Sequence, residues 1–316
     1  MNQPKPDSRS RRSFLKRSTA TALAASFAGP LVGPLASLAA DAGAGGGSGS
    51  NADYGGLPMG LQTYTLRSLS FDKALETCSK VLGVKEVEVF PGHDRGLSPR
   101  QVREKVESYG LKVSAYGVVP FSKNADANRK YFEIGKTLGL RSLSCDPDKD
   151  AFDNLDKLVE EYQIAAAIHP HGPDAKWVKI QQIWDAVKDH HKLIGLCNDT
   201  GHLIRAQQDP VEACHVFKDR MYGVHFKDFK KVGKDGKGND KWEDCVLGEG
   251  ELKVDELVKT LLEMKFRGAL SLEYEGGDPV EASKKCLDRV KQAAKKSAAA
   301  YTPPDKSMRA GSAPVR

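Results

Sequence analysis

The chain has 316 residues, 40% of them hydrophobic and 28% charged, which fits one large globular domain or two ordinary ones. Its mean hydropathy of −0.47 and the lack of any long uninterrupted apolar run exclude a polytopic membrane protein, and its composition excludes a collagen-like or wholly disordered chain. Of the net charge of +6, most lies in the first 42 residues, which hold six basic and two acidic side chains; the remainder carries 42 basic against 40 acidic groups, so it offers no basic face for a nucleic acid.

In chain order, Ser10-Arg11-Arg12-Ser13-Phe14-Leu15-Lys16 is similar to a twin-arginine export signal. A weakly apolar stretch from Ser18 to Ala40 follows it, and the small residues around Ala40-Asp41-Ala42 suit a signal-peptidase cut. The expectation is a signal peptide over 1–42, read by the twin-arginine export machinery. The protein is then periplasmic, or tethered to the membrane by an uncut leader. Residues 43–56 read as a Gly/Ser-rich linker, 57–296 as the folded body and 297–316 as a loose, disordered tail. The six cysteines (Cys78, Cys145, Cys197, Cys214, Cys245, Cys286) form no C-x-x-C pair and read mostly as small core residues, with disulfides left open.

Within the body, short apolar runs alternate with amphipathic helical patterns. Strands are expected at Leu57–Thr63, Lys85–Phe90, Leu111–Val118, Leu140–Cys145, Gln163–His169, Leu193–Asp199, Met221–Lys227 and Ala269–Glu275. Each precedes a helical pattern: Phe71–Leu82, Pro99–Tyr109, Ala125–Leu138, Ala151–Tyr162, Trp177–His190, Pro210–Phe217, Val254–Met264 and Pro279–Ala294. The first helix is expected to bury Leu75, Cys78, Val81 and Leu82 on one side. Runs such as Ile164–Ile168 are apolar throughout, as parallel strands covered on both faces are. Eight β/α units in about 240 residues predict an α/β fold, a single (β/α)8 TIM barrel. An open doubly wound sheet usually carries a glycine-rich turn after its first strand, and Gln62-Thr63-Tyr64-Thr65-Leu66-Arg67 has no glycine.

A barrel of this kind places its active site at the C-terminal strand ends. Strands 5 to 8 end in His169, Asp199, His225 and Glu273. Neighbouring parallel strands lie about 4.8 Å apart, so four such side chains can converge on one point. A mixed imidazole/carboxylate set suits one divalent metal ion, with Mn²⁺, Zn²⁺, Mg²⁺ and Co²⁺ all open. His171 is the alternative to His169, and Glu275 to Glu273. Glu88, at the end of strand 2, is a candidate acid/base, and Lys227 is a candidate base or holder of an enolate. His171, His202, Asp228 and Glu275 are candidate substrate contacts, with Asp228 orienting Lys227. Tyr64, Trp177 and Trp242 are candidate pocket walls, and His190 and His191 end a helix and read as structural. The connection Phe229–Lys253 is too long for an ordinary loop, reads as a flap, and contains a hairpin-like charged segment at Lys230–Lys241.

Taken in order, Asp199-Thr200-Gly201-His202, His225-Phe226-Lys227-Asp228, Leu247-Gly248-Glu249-Gly250 and Leu272-Glu273 resemble the sugar phosphate isomerase/epimerase group of xylose isomerase-like TIM barrels. The resemblance covers the whole body. It implies one divalent metal, often Mn²⁺, and chemistry on an aldose–ketose pair or another hydroxy-ketone. In ketose 3-epimerase and hydroxypyruvate isomerase members the ligands are Glu, Asp, His and Glu, and the two glutamates shuttle the proton. The last three map onto Asp199, His225 and Glu273, while His169 departs from the first, which removes one of the two shuttling glutamates. The arginine that those members carry shortly after the strand-7 histidine is not evident either, and Lys230 and Lys231 stand nearby. The expected activity is therefore a metal-dependent isomerase or epimerase of a sugar or related α-hydroxycarbonyl compound, working through an enediolate. A lyase acting on a 3-keto-glycoside is the second reading, and a non-catalytic exported sugar-binding barrel a third. A multi-zinc hydrolase resembling endonuclease IV fits poorly with the near-neutral body. The partners implied are a small carbohydrate substrate and no nucleic acid, with a homo-oligomer left open.

Overall fold

A computed structural model describes residues 51–300. The expected leader, most of the expected linker and the tail beyond residue 300 lie outside the described residues.

Eight parallel strands close into a barrel: β1 (Met59–Gln62), β2 (Glu86–Val89), β3 (Lys112–Phe121), β4 (Ser142–Pro147), β5 (Ala165–Ile168), β6 (Ile194–Asp199), β7 (Met221–Phe226) and, after a two-stranded insertion, β10 (Ala269–Leu272). Each strand pairs with its neighbours in sequence order, and β10 closes the circle onto β1. The insertion is an antiparallel hairpin, β8 (Asp228–Lys234) and β9 (Asp240–Cys245), within the long connection read as a flap.

The helices form where caps and apolar stripes agree. They are α1 (Phe71–Glu76), α2 (Pro99–Ser108), α3 (Ala125–Leu138), α4 (Phe152–Tyr162), α5 (Ile180–Val187), α6 (Thr200–Arg205), α7 (Pro210–Val216), α8 (Val254–Glu263) and α9 (Pro279–Ala300). Helix α2 shows the causes plainly. Ser98 accepts from the Gln101 N–H, Gln101 reaches back to the Ser98 N–H, Pro99 takes the first helical position, and Val102 and Val106 face the barrel. Removing the Ser98 hydroxyl would cost about 1 kcal/mol. At the other end of α3, Gly139 adopts φ of 73°, the left-handed cap that glycine takes without strain.

Three local expectations need correction. Helix α1 is shorter than its pattern, because Thr77–Val81 wind into a wider π-type turn; this shifts the helical phase and leaves Val81 49% exposed instead of buried. Helix α6 follows β6 directly where a loop was expected, capped by the Asp199 side chain. The body also extends past both of its expected edges: Tyr54 is buried beneath α9, with the Lys291 ammonium 5.7 Å from its ring centroid, and α9 continues to Ala300.

All six cysteines are buried and free. Among the described residues no helix is long and apolar enough to cross a membrane.

Candidate metal centre

At the C-terminal end of the barrel the four expected ligands come together. One nitrogen or oxygen from each of His169, Asp199, His225 and Glu273 lies within 4.8 Å of all the others. His169 Nε2 is 3.2 Å from Asp199 Oδ2 and 3.0 Å from His225 Nδ1. His225 Nδ1 is in turn 3.0 Å from Glu273 Oε2. All four residues are buried.

Backbone register explains the convergence. Asp199 and His225 are direct partners across β6 and β7, and His225 pairs with Ser271 across β7 and β10. Glu273 lies two residues beyond Ser271 and, by the period-2 alternation of strands, points to the same interior one step higher. His169 follows β5 and is tied to β4 by its N–H, which donates to the Cys145 carbonyl. Asp199 has two tasks. Its Oδ1 accepts from the His202 N–H at 2.7 Å and so caps α6, while Oδ2 faces the cluster, buried and without a hydrogen-bond donor. The cap thereby fixes the rotamer that presents Oδ2.

Two imidazole nitrogens and two carboxylate oxygens gathered about one point are a donor set suited to a proton or a cation. The orphaned Asp199 Oδ2 and the N₂O₂ donor set fit a single divalent ion. His169, not His171, belongs to the set, and Glu273, not Glu275.

Beneath the cluster the barrel is filled by polar side chains rather than the usual branched aliphatics. Glu88, Ser144, Cys197 and Ser271 come from alternate strands, β2, β4, β6 and β10, and touch one another. Ser144 Oγ donates to Glu88 Oε1 at 2.6 Å and Ser271 Oγ donates to Glu88 Oε2 at 2.8 Å. His225 Nε2 lies 2.8 Å from the same Oε2. Glu88 is fully buried with both oxygens engaged, so it supports His225 from below and offers no open oxygen to a substrate; the acid/base reading of Glu88 is corrected accordingly. Burial opposes its charge, but His225 and the two serines outweigh this and hold the carboxyl below its usual range. Burial likewise disfavours charge on His225, yet Cys197, Glu88 and Glu273 around it raise its pKa well above the ordinary value.

Above the cluster stands Lys227, 1% exposed. Its ammonium is 2.5 Å from Glu275 Oε1, 3.0 Å from Glu273 Oε2 and 3.5 Å from Asp199 Oδ2. Desolvation disfavours that charge, and the three carboxylates overcome it and raise the pKa. Reciprocally, burial pushes Asp199 and Glu273 upward, while Lys227 is the strongest influence holding both well down.

A cleft of about 360 Å³ opens over this assembly. It is lined by His169, His171 and His202 together with Tyr64, Phe90 and Val118. Burial lowers His171 to about 4 and His202 to about 3, so both are neutral near pH 7. His202 Nδ1 accepts from the Gly172 N–H and from Arg205 Nη2, which leaves the proton on Nε2. Glu275, with its side chain 35% exposed, also lines the cleft.

Several expected contacts fall elsewhere. Asp228 turns its carboxylate away from the cleft and accepts the N–H groups of Gly248, Gly250 and Leu252 at 2.8, 3.1 and 2.9 Å. It clamps the segment after the hairpin, and a Cβ on Gly250 would lie only 2.4 Å from its Oδ1. Both of its carboxylate oxygens are taken up by these N–H groups, and neither contacts the Lys227 ammonium, so it does not orient that residue. Trp177 is a packing residue, buried edge-on against Phe152 with Nε1 donating to the Pro147 carbonyl. Trp242 sits on the hairpin, outside this cleft. His190 and His191 pair with Asp156 and Glu160, the structural role expected of them. Tyr64 does line the cleft; Phe90, Gln62 and Val118 were not singled out from sequence, and only their nearness to strand ends could have flagged them.

The profile of the family described as "Xylose isomerase-like TIM barrel" matches residues 78–296, and the chain belongs to that family. The chain is 23% identical over 200 residues to a 3-dehydroshikimate dehydratase of Pseudomonas putida, a match covering 56% of this chain but only 31% of that longer protein. Among solved structures, L-ribulose 3-epimerase superposes with a TM-score of 0.61 at 13% identity, covering 79% of this chain and 99% of that one. The IOLI protein with a bound zinc atom superposes with a TM-score of 0.58 at 18% identity, covering 78% and 99%. At these identities the superpositions establish the shared fold.

Proposed function

We propose that the protein is a divalent-metal-dependent isomerase or epimerase of a sugar or related α-hydroxycarbonyl compound. The observation that carries this reading is the four-donor cluster at the floor of a cleft that also holds Lys227 and Glu275. Its holders are His169, Asp199, His225 and Glu273, and Mn²⁺ is the ion we favour. An ion there would act as a Lewis acid toward two adjacent substrate oxygens and acidify the C–H beside the carbonyl. Glu275 and Glu273 are the carboxylates facing the cleft that can accept that proton at an Oε atom. Lys227 holds both in place and supplies positive charge where the enediolate forms. Return of the proton to the neighbouring carbon, or to the other face, completes an isomerisation or an epimerisation. The neutral His171 and His202 are suited to hydrogen-bond hydroxyls. Lys227, the one ammonium lining the cleft among the described residues, is occupied by carboxylates, which favours an unphosphorylated substrate.

A lyase is the second reading, favoured by the similarity to a dehydratase and by His169 standing where a second proton-shuttling glutamate would be needed. In that case the same enolate expels a β-substituent. We also propose export through the twin-arginine route, tested by fractionating cells that express the Arg11→Lys, Arg12→Lys double variant.

The test of function is elemental analysis of the full chain beside His225→Ala, followed by incubation of the metal-loaded protein with keto-sugars in D₂O. One equivalent of divalent metal, lost in the variant, together with deuterium at carbon and no loss of a group, supports the isomerase. Deuterium with release of a β-substituent supports the lyase. A metal-loaded protein that exchanges no proton in any sugar would leave a binding barrel, and no metal uptake would overturn both enzymatic readings.

A further inference from the structure

The guanidinium of Arg205 is half-buried, and its one polar side-chain partner among the described residues is an imidazole rather than a carboxylate. Arg205 closes α6 three positions after His202, the spacing that brings two side chains together on one face of a helix. Its Nη2 donates to His202 Nδ1 at 3.2 Å, and the Gly172 N–H, from the segment after β5, donates to the same nitrogen at 3.3 Å.

We propose that Arg205 is a positioning residue: it holds His202 as a neutral imidazole with its proton on Nε2, and so makes His202 a fixed hydrogen-bond donor to the substrate oxygen that gains negative charge as the enediolate forms. The use made of the donor rests on the isomerase reading above; the hold on His202 does not.

The donor inventory is strict. A guanidinium and a backbone N–H can only donate, so the ring nitrogen facing both must offer its lone pair. A protonated imidazole would turn a third N–H toward those two. The neutral ring therefore carries its proton on the other nitrogen, Nε2.

The surroundings of Arg205 are shaped to this contact. Gly172 is not in the left-handed region, so its backbone does not call for glycine, yet a Cβ there would lie 2.2 Å from Arg205 Nη2. The Phe229 ring, in β8, lies 5.0 Å from Arg205 Cζ. A cation that only balanced the negative end of α6 could turn out to water. This one leaves a buried Nε without an acceptor and keeps Nη2 on His202.

The other end of the ring stands among the groups of the cleft. The His202 N–H donates to Asp199 Oδ1 at 2.7 Å, which fixes its backbone to a member of the four-donor cluster. Its ring centroid is 5.6 Å from that of His169 and 5.3 Å from that of His171, and all three residues line the cleft. Both side-chain hydrogen bonds of His202 are made at Nδ1, so Nε2 has no partner among the described residues and is left for a substrate. In a cleft that already holds the Lys227 ammonium, an uncharged donor adds a hydrogen bond to a developing oxyanion without adding like-charge repulsion.

The experiment is nitrogen NMR of the full chain labelled at its histidine nitrogens, metal-free and with Zn²⁺, at neutral pH, with the His202 signals assigned by their loss in His202→Asn. The expected result is a bare Nδ1 and a protonated Nε2 in the wild type, and loss of that single tautomer both in Arg205→Met and in Gly172→Ala, which displaces the guanidinium without removing it. With a keto-sugar that exchanges its proton in D₂O, kcat should fall by about tenfold or more in both variants with KM little changed, because the hydrogen bond strengthens as charge develops. Arg205→Lys, which keeps a donor, should recover part of the loss. A proton on Nδ1 in the wild type, or a tautomer unmoved in both variants, overturns the proposal. A fall in exchange with His202 unchanged would give Arg205 a structural role and overturns it too, as does loss of the tautomer with exchange unaltered. A wild type that exchanges no proton in any sugar, while both variants still lose the tautomer, refutes the isomerase reading and upholds the hold on His202, so the two failures are told apart.

Discussion

Glu88 Oε2 lies 2.8 Å from His225 Nε2, joining residues 137 positions apart through the middle of the barrel. Its consequence is on the far side of the ring. With Nε2–H donated to a carboxylate, Nδ1 is the nitrogen left to face Asp199, Glu273 and His169, and the imidazole is held at one orientation.

Glu88→Gln should therefore weaken metal binding by about 10–100-fold with the fold intact, because a carboxamide replaces an anion beneath His225. Glu88→Ala should be worse in both respects. It leaves His225 Nε2, Ser144 Oγ and Ser271 Oγ without their acceptor, a penalty on the order of 1–3 kcal/mol for each buried group. Metal titration and denaturant melts of the two variants separate these effects, and wild-type metal affinity in Glu88→Gln would refute the supporting role.

Metal and proton compete for His225. Its neighbours raise its pKa well above that of a free imidazole, so the metal-free site holds a proton that the ion must displace. Affinity should fall as pH falls, and the fall should continue across neutral pH rather than begin near 6.5. Calorimetry in buffers of different ionisation enthalpy at pH 7 should report proton release on Mn²⁺ binding, and zero release would contradict this account.

Lys227 shares the carboxylates with the ion. Lys227→Met removes a buried cation 3.0 Å from Glu273 and 3.5 Å from Asp199 while keeping the side-chain volume. The expected outcome is tighter divalent-metal binding with proton exchange reduced by two orders of magnitude or more. Weaker metal binding in this variant would show that the ammonium organises the ligands rather than competing with the ion.

Asp228 supports the flap and stands apart from the chemistry. Asp228→Ala leaves three backbone N–H groups without their acceptor and should destabilise the protein by roughly 3 kcal/mol. Faster proteolysis within 247–252 should accompany this, with metal stoichiometry unchanged. Loss of the metal in a variant that remains folded would place Asp228 in the site after all.

Saturating metal should also stabilise the native state, by about 2.7 kcal/mol at one hundred times Kd. The stabilisation should vanish in Asp199→Ala and His225→Ala. Thermal melts with and without Mn²⁺ measure it directly.

The barrel and its four candidate ligands were legible in the sequence because both are local patterns. Strands such as Ala165–Ile168 are buried on both faces and so read as unbroken apolar runs, and His169, Asp199, His225 and Glu273 are the polar residues at or near the ends of such runs. The order of eight β/α units leaves little topological choice, since parallel neighbours need right-handed crossovers.

Across-barrel relationships were decided by tertiary structure alone. No spacing in the chain shows that Glu88 closes on His225 or that Lys227 is shared among three carboxylates. The sequence determined which side chains reach the rim, because burial of apolar strands dictates where each run stops. Only closure of the barrel decided what those side chains face, since strand tilt and register set which of them meet across its interior, and with it which acid binds, which supports and which clamps a loop.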